Sequence, residues 1–244
     1  MDFRNAKELL KVCQEQDLSI SAVMLQRELT EGEQDPEETD RKMDRVLEIM
    51  KSAASTPIHT PVKSMGGLIG GEAKKISDHK DTGKGLCGDL LERAVIYAMA
   101  TLETNASMGV IVASPTAGSA GIVPGLLLAL QETYDLSDEQ IKQGLYNASA
   151  IGYLAMRNAT VAGAVGGCQA EVGIASAMAA SATVELMGGS PEQSLAAAST
   201  VLMNMLWSAI QSAGWSNILA RTVMLPVWQM QRLLQRSPFP EYAS

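Results

Sequence analysis

Residues 105–130, NASMGVIVASPTAGSAGIVPGLLLAL, contain no charged side chain, yet two prolines and four glycines interrupt them. The stretch has the length to cross a bilayer, for which about 20 apolar residues suffice. Ser114, Pro115, Thr116, Ser119 and Pro124 would then lie mid-span, leaving backbone polar groups to be satisfied in lipid. The residues divide better into an apolar first half, a Ser-Pro-Thr-Ala-Gly-Ser-Ala-Gly turn over 114–121, and a helix opening at Pro124, a favoured first helical residue. Glycines let backbone N–H groups approach a ligand, and hydroxyls beside a helix N-terminus suit a carboxylate or phosphate. The turn is therefore either an anion-holding loop or a tight helix-to-helix connection.

Helix punctuation is dense elsewhere. Residues 2–16 carry an apolar stripe at Leu9, Leu10, Val12 and Cys13, and Ser19 is placed to cap a second helix through about Leu29. Asp35-Pro36-Glu37-Glu38 reads as cap, first-turn proline and first-turn acids, starting a helix to about Ala54 with Met43, Val46, Leu47 and Met50 on one face. Residues 55–87 show no sustained period, which predicts a binding loop or a mobile lid. Helix resumes at about Asp89–Thr104. Ser137 with Gln140, and Ser190 with Gln193, match the capping-box pattern and open helices toward Ala148 and Leu206. Residues 159–187 form a small-residue helical run with Gly163 and Gly167 four apart. No segment alternates strongly enough to require a sheet. The expected class is all-α: a compact helical domain with glycine-rich loops between its helices.

Composition supports close helix packing, because apolar residues make up 46% of the chain and aromatics only 4%. The core must therefore come from Ala, Leu, Val, Ile and the 14 methionines. A formal charge of −8 argues against nucleic acid as a main partner and against anionic membrane surfaces. Arg157, Glu171 and Glu185 cut the small-residue run into pieces too short to span a membrane. The first residues have no apolar signal region, and Cys13, Cys87 and Cys168 lie too far apart for a disulfide framework. A reducing, cytoplasmic setting is expected.

Three further features carry candidate chemistry. KSMGGLIGGEAKK (63–75) is a second glycine-rich loop with a hydroxyl and cations nearby, and it lacks the Gly-Lys-Ser/Thr of a phosphate-binding P-loop. Cys168 sits among small residues, either as a buried small hydrophobe or as a thiolate ligand with glycines leaving room for an inorganic centre. Glu171, three residues on, reads as a proton-transfer group or an exposed acid. His59 and His79 read as solvated loop histidines that build neither a triad nor a zinc site.

SMGGLIGG (64–71), NASMGVIVASPTAGSAGIVPG (105–125), GYLAMRNATVAGAVGGCQAEVGIASAMAA (152–180) and MNML (203–206) together resemble the alpha subunit of bacterial iron–sulfur-dependent L-serine dehydratase. The resemblance covers nearly all of residues 1–206. It implies an all-helical catalytic subunit that pairs with a smaller beta subunit, binds a [4Fe-4S] cluster as Lewis acid and uses no pyridoxal phosphate. Cys168 matches one cluster ligand. By the same resemblance, Ser64, Gly66, Gly67, Thr116, Gly118, Ser119 and Gly121 are candidates for gripping the substrate carboxylate, and Lys63 with Ser64 for catalytic roles. Homo-oligomers are compatible with the pattern, and a non-catalytic helical subunit that binds a partner chain or a small carboxylate is the alternative reading.

The chain departs from the family after Leu206. Where the family continues with two further cluster cysteines in a Cys-Asp-Pro phrase and a later Pro-Cys, this chain reads WSAIQSAGWSNILARTV and has no cysteine after Cys168. Trp207, Trp215 and Trp228 are its only tryptophans, no lysine follows Lys142, and Glu241 is the only acid after Glu192. Codons for Cys-Asp-Pro-Val read one base late give Ala-Ile-Gln-Ser, which stands at residues 209–212. The same shift places Trp-Ser-Asn-Ile-Leu-Ala at 215–220, so the lost cysteines fall at Ala209 and Ala220. The expected organisation is a family domain over 1–206 and a frameshifted tail over 207–244, loosely helical over Trp207–Ala220 and disordered over Ser237–Ser244.

Overall fold

The structure, a computed structural model, describes residues 2–32, 35–85, 87–161 and 166–213, with side chains through Met205. Among these are nine α-helices, one short 3-10 turn and no strand. The expected all-α class is what is observed.

The helix starts follow local chemistry. Asn5 caps α1 (Ala6–Gln16) by accepting the Glu8 N–H at 3.0 Å, and Ser19 caps α2 (Ile20–Glu31) by accepting that of Ala22 at 3.2 Å. α3 spans Pro36–His59, with proline in its first turn. It passes the expected end at Ala54 and runs through Pro57. A proline there cannot donate to the carbonyl four residues back, that of Ala53. The Thr104 hydroxyl, from another helix, donates to that carbonyl at 2.9 Å. A tertiary hydrogen bond thus replaces the missing helical one, and α3 continues.

Residues 55–87 are not one long loop, because α4 (Glu72–Asp81) forms inside them. α5 (Asp89–Ala106) follows, and then the 3-10 turn Ala117–Ser119 leads into α6 (Ile122–Tyr134). Pro124 is the third residue of α6, not the first, since the turn already presents helical backbone at Gly121. α7 (Asp138–Asn158) has the complete Ser137–Gln140 capping box and extends ten residues past the expected Ala148. Its glycines do not end it because neighbours occupy the space they leave. A Cβ on Gly144 would lie 2.9 Å from Leu186, and one on Gly152 would lie 3.2 Å from Met178. α7 ends at Asn158, where Ala159 is extended, and α8 spans Cys168–Leu186. Gly163 lies outside the described residues. α9 (Pro191–Ala213) starts from the Ser190–Gln193 capping box; the expectations for the chain beyond Ala213 lie outside the described residues.

α8 packs against α7, α6 and α9, with Gly173, Ala175, Ala177, Ala179 and Ala182 buried along it. Residues this small let helix axes approach closely. Leu9, Ile20, Val23, Leu47, Leu127, Leu130, Ile141 and Ile174 fill the surrounding core, where burial of one such side chain contributes about 1.5–3 kcal/mol. α5 lies between α3, α4 and α6. Its contact with α6 is close, because a Cβ on Gly121 would meet the Ala98 carbonyl at 2.6 Å and one on Gly125 that of Ala94 at 2.9 Å.

The N-terminal segment is fastened by charge. Asp2 accepts from Tyr153 and Arg157, each at 2.8 Å, and pairs with Arg27 at 3.1 Å, while Arg27 stacks over the Tyr153 ring. Phe3 is buried edge-on against the same ring. Lys142, almost wholly buried, joins Asp40, Asp44 and Glu139 across α3 and α7. Burial disfavours its charge, but these three carboxylates outweigh that and raise its pKa. No helix among the described residues is long and apolar enough to cross a membrane.

Candidate functional site

The last turn of α5 organises both glycine-rich loops. Glu103 falls on the buried face with Ile96 and Ala100 and is 1% exposed. Its carboxylate accepts the backbone N–H of Gly71 at 3.0 Å and of Ala73 at 2.7 Å. It therefore satisfies donors at the start of α4 that no side chain of α4 caps. Two residues on, Asn105 donates to the Ala117 carbonyl at 3.0 Å. Between them, Thr104 makes the bond to α3. Three consecutive residues thus tie α5 to the 64–71 loop, to α3 and to the 114–121 turn.

The 64–71 loop closes on itself. Ser64 N–H donates to the Ile69 carbonyl at 2.8 Å, and Ser64 Oγ accepts the Ile69 N–H at 3.1 Å. Gly70, at φ +142°, must be glycine, since a Cβ would sit 2.0 Å from the Val62 carbonyl. Its N–H donates to Glu72 at 2.6 Å, and backbone N–H groups at Glu72 and Gly70 hold that carboxyl below its usual range. Lys63, Gly66 and Gly67 are exposed, with open space around both glycines. Met65 and Leu68 are exposed beside them.

The 114–121 turn opens with a cis Ser114–Pro115 bond. Ser119, buried, shares a hydrogen bond with Thr116 Oγ1 at 3.1 Å and donates toward the Ser114 and Thr116 carbonyls at 3.3 and 3.4 Å. Its hydroxyl holds the turn together: with its one hydrogen on the carbonyls, the half-buried Thr116 hydroxyl is the donor in their shared bond. Ser114 Oγ is buried with no hydrogen-bond partner among the described residues. Gly121 is buried against α5, while Gly118 is exposed.

The turn packs against the N-terminal end of α8. Cys168 is the first residue of α8, exposed, preceded by Gly167 at φ +77°. Glu171, in the same first turn, brings Oε2 to 3.2 Å from where a Cβ on Gly118 would lie. The structure therefore brings Thr116, Gly118, Ser119 and Glu171 into one place, with Cys168 in the same first turn of α8 as Glu171. It ties the loop bearing Lys63, Ser64, Gly66 and Gly67 to the same end of α5. His59 and His79 are exposed but lie in the last turns of α3 and α4, not in loops. A model of the family described as "Serine dehydratase alpha chain" matches residues 15–206, across both loops and the helices that carry them.

The chain belongs to the serine dehydratase alpha-chain family. It is 46% identical over 204 residues to the probable L-serine dehydratase alpha chain of Bacillus subtilis, covering 84% of this chain and 68% of that one. It is 41% identical over 204 residues to the L-serine dehydratase alpha chain of Peptoniphilus asaccharolyticus, covering 84% and 70%. A longer relative, the L-serine dehydratase of Streptomyces coelicolor, is 37% identical over 197 residues, covering 78% of this chain and 42% of its own.

Reading the residues alone passed over Glu103 and Asn105, which tie α5 to the two loops, and took Ser114 only as the first residue of the 114–121 turn. Glu103 had a visible signal: an acid on the apolar stripe of α5, where an unpaired charge is costly. Asn105 had none, because it matters only through its bond to the Ala117 carbonyl twelve residues on.

Proposed function

We propose that this chain is the alpha subunit of an enzyme that removes water from L-serine to give pyruvate and ammonia, working with a beta subunit in the cytoplasm. The observation that carries the reading is the Thr116–Ser119 turn packed on the Cys168 end of α8 inside a span that matches the family. In this reading the turn's hydroxyls and N–H groups take the substrate carboxylate, with the self-closed Ser64 loop as a second wall and Lys63 as the candidate base. Removal of the Cα proton and loss of the β-hydroxyl as water leave aminoacrylate. It tautomerises to the imine, and water then releases ammonia and pyruvate.

The resemblance implies a [4Fe-4S] cluster, and the donor set of this chain does not fit one. Such clusters are held by about three or four thiolates or equivalent ligands. The chain has three cysteines in all. Cys13 lies buried in α1, its pKa pushed up to about 12 chiefly by burial and further by Glu185 and Glu192. Among the described residues no three His, Cys, Asp or Glu side chains gather into a metal site. The family match ends at residue 206, where the sequence changes character, and this supports a frameshifted tail that has lost two ligands.

In this reading the chain as written has little or no dehydratase activity and keeps its fold and loops. The test is an anaerobic assay of pyruvate from L-serine with the beta subunit present, on the chain as written and with the frame restored near codon 207. Activity confined to the restored chain is expected. A brown, active enzyme from the chain as written, or a coding sequence in which no single-base change restores Cys-Asp-Pro, overturns the frameshift.

A further inference from the structure

The turn expected to hold a carboxylate has a carboxylate of its own pressed against it. Glu171 Oε2 lies 3.2 Å from the Cβ position of Gly118, so glycine is what lets this side chain reach the turn. Residues 105–130 contribute no charge, which makes Glu171 the charged group that α8 brings to the turn. A purely anionic ligand placed beside Thr116 and Gly118 would be repelled by it. An amino acid is not purely anionic: its carboxylate needs donors, and its ammonium needs an acceptor, preferably charged. The turn offers a donor in the Ser114 hydroxyl, buried with no hydrogen-bond partner among the described residues, and exposed backbone at Gly118. Glu171 offers the acceptor on the adjacent wall.

From this juxtaposition we infer that Glu171 is the recognition residue for the α-ammonium group of the substrate, so the site selects zwitterionic 2-amino acids over the corresponding 2-deamino acids. The inference rests on the reading of the turn as the substrate site, and it adds the group that reads the amino end. Glu171 is then a substrate contact present in the chain as written, independent of any cluster.

The test uses isothermal titration of the full chain with two probes, L-serine and 3-hydroxypropanoate, which lacks only the amino group. The unaltered chain binds L-serine about 10- to 100-fold more tightly, the range for a hydrogen bond between charged groups. Glu171→Gln keeps shape and folding, checked by its thermal midpoint without ligand, and brings the two affinities to within about threefold. Glu171→Asp restores part of the difference, which a merely structural role would not do. Equal affinities in the unaltered chain, or an undiminished preference in Glu171→Gln, overturn the assignment while leaving the carboxylate site standing. Binding of neither probe overturns the substrate site itself, and the role of Glu171 with it.

Discussion

Glu103 accepts the backbone N–H of Ala73 at 2.7 Å, joining the buried face of α5 to the first turn of α4. The same carboxylate takes the Gly71 N–H, so one side chain terminates the 64–71 loop. Glu103→Ala leaves the buried Ala73 donor and the part-buried Gly71 donor unpaired, a cost of about 2–4 kcal/mol in denaturant unfolding. Glu103→Gln keeps an acceptor and costs less, about 1–2 kcal/mol. Hydrogen exchange at Gly71 and Ala73 should accelerate in both variants; unchanged protection in Glu103→Ala would falsify the anchor.

Thr104 and Pro57 form a testable pair. Thr104→Val removes the donor that serves the Ala53 carbonyl and should destabilise by about 1–2 kcal/mol. In a Pro57→Ala background the new backbone N–H can serve that carbonyl instead, so the same Thr104→Val change should cost measurably less. Additive effects in this double-mutant cycle would show that the two residues do not compensate each other.

The three cysteines should differ in reactivity. Cys87 and Cys168 are exposed, whereas Cys13 is buried with its pKa near 12. The thiolate is the reactive form. A maleimide at neutral pH should therefore label Cys87 and Cys168 in the native chain and Cys13 only after unfolding, read by peptide mass spectrometry.

The N-terminal clamp sets an acid dependence. Burial opposes ionisation of Asp2, but hydrogen bonds from Tyr153, Arg27 and Arg157 prevail and hold its carboxyl well below the usual aspartate range. A depressed native pKa gives stability that is present above the unfolded value and lost as pH falls through the native one. Asp2→Asn should thus lower stability at neutral pH by about 1 kcal/mol, the upper range for a partly exposed pair. The gap from the unaltered chain should stay constant down to about pH 5 and narrow below about pH 4. A gap that widens in acid would contradict the assignment.

Much of the fold was legible because its signals are local. Ser19, Ser137 and Ser190 mark helix starts through bonds to amides three residues on, and all three helices begin there. The 114–121 turn was legible as an interruption between apolar segments for the same reason. The helix ends were less so. Pro57, Gly144 and Gly152 carry strong breaker chemistry, yet α3 and α7 run through them.

By itself, then, the sequence determined the all-α class, the helix starts, the two glycine-rich loops and the place near residue 207 where the chain changes character. Each of these depends on neighbours within a few residues or on the order of whole motifs. Only the tertiary structure decided that Thr104 would complete α3 across Pro57, that Glu103 would cap α4, and that Glu171 would meet Gly118. Those pairings join groups about 30 to 50 residues apart. A hydrogen bond or close contact of that kind has no periodicity to read, because it exists only once packing has brought the two helices together.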